Sequence, residues 1–139
     1  MTACDNPLLT ITDFVDYAAV RPEHVTPAVT ALAEDVEKTL LQVLDASRPA
    51  TWGNVVEPLN ESLGLTRAWG VVGHLQSVCD TPELRDAYNR ELPRVSELLL
   101  RISLDTRLYE RYKALRASDE FATLSPVRQR ILERDLRDF

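Results

Sequence analysis

Thr26-Pro27-Ala28-Val29-Thr30-Ala31-Leu32-Ala33-Glu34-Asp35-Val36-Glu37-Lys38-Thr39-Leu40-Leu41-Gln42-Val43 is the stretch that sets the fold class. Together with Val25, its residues Val29, Leu32, Val36, Leu40 and Val43 recur at steps of three and four, while Glu34, Asp35, Glu37 and Lys38 take the other side. That is a helix with one buried stripe and a solvated back. Thr26 offers a capping hydroxyl, and Pro27 suits the first helical position, where its missing N–H costs nothing. This helix is expected to end near Ser47, ahead of Arg48-Pro49.

The same punctuation recurs along the chain. Thr51 caps a second expected helix that runs to about Val78, with Trp52, Val56, Leu59 and Leu63 on one stripe and Leu65, Trp69, Val72 and Leu75 on another. Pro58 falls seven residues in and is expected to kink it. Gly64, Gly70 and Gly73 each cost about 1 kcal/mol relative to Ala. They point either to close backbone approach by a neighbour or to a break near Gly64. Thr81-Pro82 opens a third helix, with Leu84, Tyr88, Leu92, Val95, Leu99 and Ile102 as its expected core face and Pro93 as a bend. A fourth spans about Asp105 to Arg116, with Leu108, Tyr112 and Leu115 inward. A fifth opens at Ser125-Pro126, points Val127, Ile131 and Leu132 inward, and is still running at Phe139.

The expected fold is therefore all-α: about five helices in an antiparallel bundle with an extended N-terminal arm. Residues 1–25 form the arm, anchored by Leu8, Leu9, Ile11, Phe14, Val15 and Tyr17. Residues 26–139 form the helical domain. Leu136-Arg137-Asp138-Phe139 has no Gly, Pro or cap, although a helix end leaves carbonyls that need partners. The chain thus reads as cut within a helix.

Composition narrows the function classes. Hydrophobic residues make up 45% of the 139 and charged ones 27%, the balance of a folded domain, and Gly numbers only 4. Net charge is −6; residues 1–100 carry 15 acids and 7 bases, residues 101–139 carry 7 acids and 9 bases. Nucleic-acid binding needs a basic face to neutralise phosphates, and this weak excess, interleaved with Glu110, Asp119, Glu133, Asp135 and Asp138, does not supply one. Cys4 and Cys79 make no CxxC and no disulfide framework, so they read as reduced thiols. The N-terminus has no signal-peptide pattern, and no run approaches the roughly 20 apolar residues of a membrane span. These readings imply a cytoplasmic protein that binds neither nucleic acid nor membrane.

Candidate chemistry is sparse. A zinc site takes three protein ligands at suitable spacing, but the only histidines are His24 and His74, with no pair at i, i+3 or i, i+4. His24 reads as a hydrogen-bonding residue at a helix entry and His74 as a partly buried structural histidine. Cys79 lies five residues after His74, about 140° around a helix, so the two diverge rather than form a thiol–imidazole pair. Glu34-Asp35 reads as solvation, and the glycines make neither GxGxxG nor a P-loop. No catalytic, cofactor-binding or metal-binding residue is assigned. Trp52 and Trp69 are large anchors, for packing or for lining a groove.

Several segments together resemble a known family: Arg21-Pro22-Glu23-His24-Val25-Thr26-Pro27-Ala28-Val29, Ala50-Thr51-Trp52-Gly53-Asn54-Val55-Val56-Glu57-Pro58-Leu59, Gly73-His74-Leu75-Gln76-Ser77-Val78, Thr81-Pro82-Glu83-Leu84-Arg85-Asp86-Ala87-Tyr88, Leu108-Tyr109-Glu110-Arg111-Tyr112-Lys113-Ala114-Leu115 and Asp119-Glu120-Phe121-Ala122-Thr123-Leu124. Their order is similar to the opening of the thimet oligopeptidase and neurolysin family of zinc metallopeptidases, in its bacterial oligopeptidase A branch. The resemblance implies one wall of a narrow channel that admits short peptides and excludes folded proteins. It also implies a zinc-dependent parent whose HExxH Glu is the general base; that motif occurs nowhere in these 139 residues.

Two function classes follow. In the first, the chain is the non-catalytic N-terminal domain of a cytoplasmic zinc oligopeptidase: channel wall and substrate-size filter, inactive alone, with zinc held only by the full-length parent. Its partners are then the remainder of the parent and short peptides in the full-length enzyme, and the severed domain self-associates through an apolar surface that includes Phe139 and one tryptophan. In the second, the chain is a free-standing helical module that takes a partner helix or peptide in a groove.

Overall fold

The computed structural model describes residues 6–12 and 14–139. Among them the regular structure is all helical, as the sequence pattern implies. A 3₁₀ turn at Tyr17–Ala19 precedes α1 (Pro22–Leu44), α2 (Trp52–Val55), α3 (Glu57–Glu61), α4 (Gly64–Val78), α5 (Pro82–Ser103), α6 (Thr106–Arg116), α7 (Asp119–Thr123) and α8 (Pro126–Asp138). None of these helices is long and apolar enough to cross a membrane. The Cys4 thiol lies outside the described residues; Cys79 is exposed.

Several caps sit where the sequence places them. The hydroxyls of Thr51, Thr81 and Ser125 accept the N–H groups of Asn54, Leu84 and Arg128; Asp105, not singled out as a cap from the sequence, accepts that of Arg107 with its carboxylate. Each satisfies one of the donors that the first helical turn leaves without a partner. Two boundaries differ. α1 opens at Pro22 rather than Thr26, and Pro27 lies inside it. The expected second helix is not one kinked rod but three pieces. Pro58, lacking an N–H, stands in the first turn of α3 directly after the interruption at Val56, and a second interruption at Ser62–Leu63 precedes α4. α5, by contrast, runs unbroken through Pro93.

The chain forms two compact units. The first takes the described part of Met1–Val36 together with Leu63–Leu98, and the second takes Glu37–Ser62 and Leu99–Phe139. In the first, Val25, Leu65, Val72 and Val95 are almost wholly buried, and Leu8 joins them from the N-terminal segment. Of the other expected arm anchors, Phe14 is 90% exposed and Tyr17 is exposed as well. In the second unit Val43, Trp52, Val55, Val56, Leu108, Tyr112, Leu115 and Leu132 belong to one core cluster. Burying each large aliphatic side chain there contributes roughly 2 kcal/mol.

The α1 stripe is as expected: Val25, Val29, Val36, Leu40 and Val43 are buried and Leu32 half-buried. The α5 face is rotated from the expected one. Leu84, Ala87, Glu91, Val95 and Leu98 are inward, whereas Leu92 and Leu99 are exposed. Val127 and Leu63 are exposed too, where an inward position was expected.

Candidate functional site

The most organised polar cluster lies at the entry of α1, in the first unit. The Arg21 N–H donates to His24 Nδ1 at 3.0 Å, and the His24 N–H donates back to the Arg21 carbonyl at 3.0 Å. His24 thus stands in the place that Glu or Gln takes in a capping box. Asn6 clips the N-terminal segment onto this turn, its Nδ2 donating to the His24 carbonyl at 2.9 Å while its Oδ1 accepts the Leu8 N–H at 3.0 Å. Asn6 and Leu8 are 3% and 2% exposed, so this short segment is packed as firmly as a core element.

One helical turn further on, the Thr26 hydroxyl donates to Glu91 Oε1 at 2.7 Å. The hydroxyl expected to cap α1 therefore ties it to α5 instead. Glu91 is 5% exposed, and Arg94, 3.9 Å from its other oxygen, donates to the Thr30 hydroxyl at 2.9 Å. A buried carboxylate needs such partners, because leaving it unpaired is costly. The sequence reading missed Glu91. Its one visible signal is position: it falls in register between Ala87 and Val95 on an otherwise apolar stripe.

The aromatic residues fall into two groups. In the first unit Trp69 and Tyr88, both half-buried, stack with centroids 4.7 Å apart and planes 7° from parallel. Tyr17 meets the His74 ring edge-on at 5.4 Å. His74 is exposed, not partly buried as expected, because its position on α4 faces away from the Leu65, Ala68, Val72 stripe. The glycines of α4 divide. A Cβ at Gly64 would meet Leu32 Cδ2 at 3.0 Å, whereas one at Gly70 would meet nothing. Both alternatives read from the sequence therefore hold at Gly64, which is closely approached and also begins a new helix.

In the second unit Trp52 is buried at 6% exposure, its backbone N–H donating to Glu120 Oε1 at 3.3 Å and its ring beneath the Arg128 guanidinium at 5.0 Å. Leu104, Thr106, Tyr109, Leu136 and Phe139 line an open concavity of about 390 Å³. Burial pushes the Tyr112 phenol up to about 12, with the Asp135 charge adding to the effect. Hydrogen bonds from Arg107 hold the Asp105 carboxyl below its ordinary value against the opposing effect of burial.

These residues do not fit a zinc site. One ring nitrogen of His24 is engaged by the Arg21 N–H, and His74 stands apart beside Tyr17. No group of three or more His, Cys, Asp or Glu side chains lies together among the described residues.

Residues 29–139 match the family profile described as neurolysin/thimet oligopeptidase, N-terminal domain. The chain is 42% identical over 135 residues to oligopeptidase A of Haemophilus influenzae and 38% identical over 135 residues to oligopeptidase A of Escherichia coli. In both cases the match covers 96% of this chain and 20% of the relative. It is 37% identical over 138 residues to the organellar oligopeptidase A, chloroplastic/mitochondrial, of Arabidopsis thaliana, covering 99% of this chain and 17% of that protein. The chain thus spans about a fifth of the length of these curated relatives. With an all-helical fold and a match running through most of its length, it belongs to the neurolysin/thimet oligopeptidase family, within that family's N-terminal domain.

Proposed function

We propose that the chain is the non-catalytic N-terminal domain of a cytoplasmic, zinc-dependent oligopeptidase that hydrolyses short peptides, and that it serves as channel wall and substrate-size filter. The observation that carries this reading is the match of 96% of the chain to only 20% of two proteins named oligopeptidase A. The 139 residues contain no HExxH, so in this reading the family's helical zinc motif would lie in another part of the parent. The N-terminal arm, with Asn6 and Leu8 seated on the first unit, acts as a strap on this scaffold. Zinc, held elsewhere in the parent, would supply an activated water; the residues described here contribute shape and rigidity.

The test begins with the reading frame beyond the Phe139 codon and continues with peptide hydrolysis. The full-length product is expected to cleave short peptides, to lose that activity to a chelator and to regain it with zinc. The 139-residue chain is expected to show no hydrolysis with or without zinc. A stop codon directly after Phe139 would sink the proposal and leave the free-standing binding module as the reading to pursue.

A further inference from the structure

We propose that an apolar strip of Leu100, Leu104, Tyr109, Leu136 and Phe139 in the second unit is the seat for the polypeptide that follows this domain in a longer family member. The inference rests on the reading of the chain as an N-terminal domain. Leu100 and Leu104 lie one helical turn apart, joined by the Leu104 N–H to Leu100 carbonyl bond at 3.1 Å, and so share a face. They are 59% and 65% exposed. Leu104 then borders the 390 Å³ concavity, whose other walls are Thr106, Tyr109, Leu136 and the 37% exposed Phe139. The Phe139 ring rests against the rings of Tyr109 and Tyr112, at 5.7 and 5.6 Å. Single exposed leucines are ordinary on a protein surface, but a continuous apolar strip marks a contact surface.

The neighbouring charges say what kind of partner fits. Arg107 is paired with Asp105 at 2.7 Å and Lys113 with Glu110 at 3.2 Å, so these flanking charges already have partners within the chain. A small polar ligand would need several convergent polar groups to orient it, and of the five lining residues only Thr106 and Tyr109 have polar side chains. What fits is another apolar protein surface. The relatives supply one: they are about five times as long, so some four-fifths of their polypeptide must find seats, and the matched profile is that of their N-terminal domain.

The experiment is thiol labelling. In a Cys4→Ser, Cys79→Ser background, Leu100→Cys or Leu104→Cys is introduced into the 139-residue chain and into the full-length product. Maleimide labelling rates are then compared, each relative to the same variant in denaturant. Full-length protein is expected to label about tenfold or more slowly at both positions, as a covered site does. Equal rates in the two lengths overturn the proposal. Protection that appears in the short chain on raising its concentration assigns the strip to a second copy, which also overturns it. Labelling needs no catalysis, so the two readings fail separately. Protected thiols in a product without peptidase activity keep the seat and remove the peptidase; freely labelled thiols in an active peptidase remove only the seat.

Discussion

His24 holds the start of α1 with an imidazole nitrogen that must be a free acceptor, since it receives the Arg21 N–H. His24→Gln is expected to keep that bond, because Gln is an ordinary capping-box residue, whereas His24→Ala should cost about 1 kcal/mol in chemical denaturation. Equal stability of the two variants would remove the cap as the reason for His24. At Tyr112 the expectation concerns pH. Its phenol is raised from 10.0 to about 12 in the folded state, chiefly by burial, so the unfolded chain loses its proton first. The resulting stabilisation is fully present below pH 10 and is lost as pH rises towards 12. A Tyr112→Phe variant should have a flatter stability profile over that alkaline window, and an unchanged slope would refute the assignment. How much was legible at this scale depended on whether a residue acts locally. The hydroxyls of Thr51, Thr81 and Ser125 each cap a helix by accepting the N–H three residues on, and spacing reveals that. Thr26 carries the same local signal yet serves Glu91, 65 residues on, and no local pattern announces such a partner.

Within the elements, the periods of α1 and α6 were read correctly because most of their large apolar residues fall on one face, with Leu41 of α1 an exposed exception. α5 was not, since its leucines are spread around the helix: a period fitted to Tyr88, Leu92 and Leu99 competes with the true one through Ala87, Glu91 and Leu98. A buried acid and a buried alanine give weak hydrophobic signals, and three exposed leucines give misleading ones. The breaks around α3 were half visible, as Pro58 and Gly64 marked the region but not whether it bends or parts. The glycines of α4 offer a direct comparison. Gly70 is exposed with open space where a Cβ would go, so Gly70→Ala should stabilise by about 1 kcal/mol through helix propensity alone. Gly64→Ala must displace Leu32 by a few tenths of an ångström, and is expected to gain less in the same melting experiment. A larger gain at Gly64 would show that Leu32 moves freely.

For the whole molecule, the family was legible because the ordered segments run along nearly all of the chain. The candidate site was not, because the residues with recognisable chemistry, His24, His74 and Cys79, have been placed by packing and capping rather than gathered. If the parent is a size-filtering peptidase, it should cleave a flexible peptide and leave the same sequence intact inside a folded host protein, as measured by mass spectrometry of the products. Comparable cleavage of both would refute the filter. The Trp69–Tyr88 stack described above has a use of its own. Two near-parallel rings at this separation couple their electronic transitions, which gives the first unit a built-in optical signature in near-ultraviolet circular dichroism. Trp69→Phe should abolish that band, and Trp52→Phe should leave it in place. Loss of tertiary order around α4 and α5 can then be followed without attaching any dye.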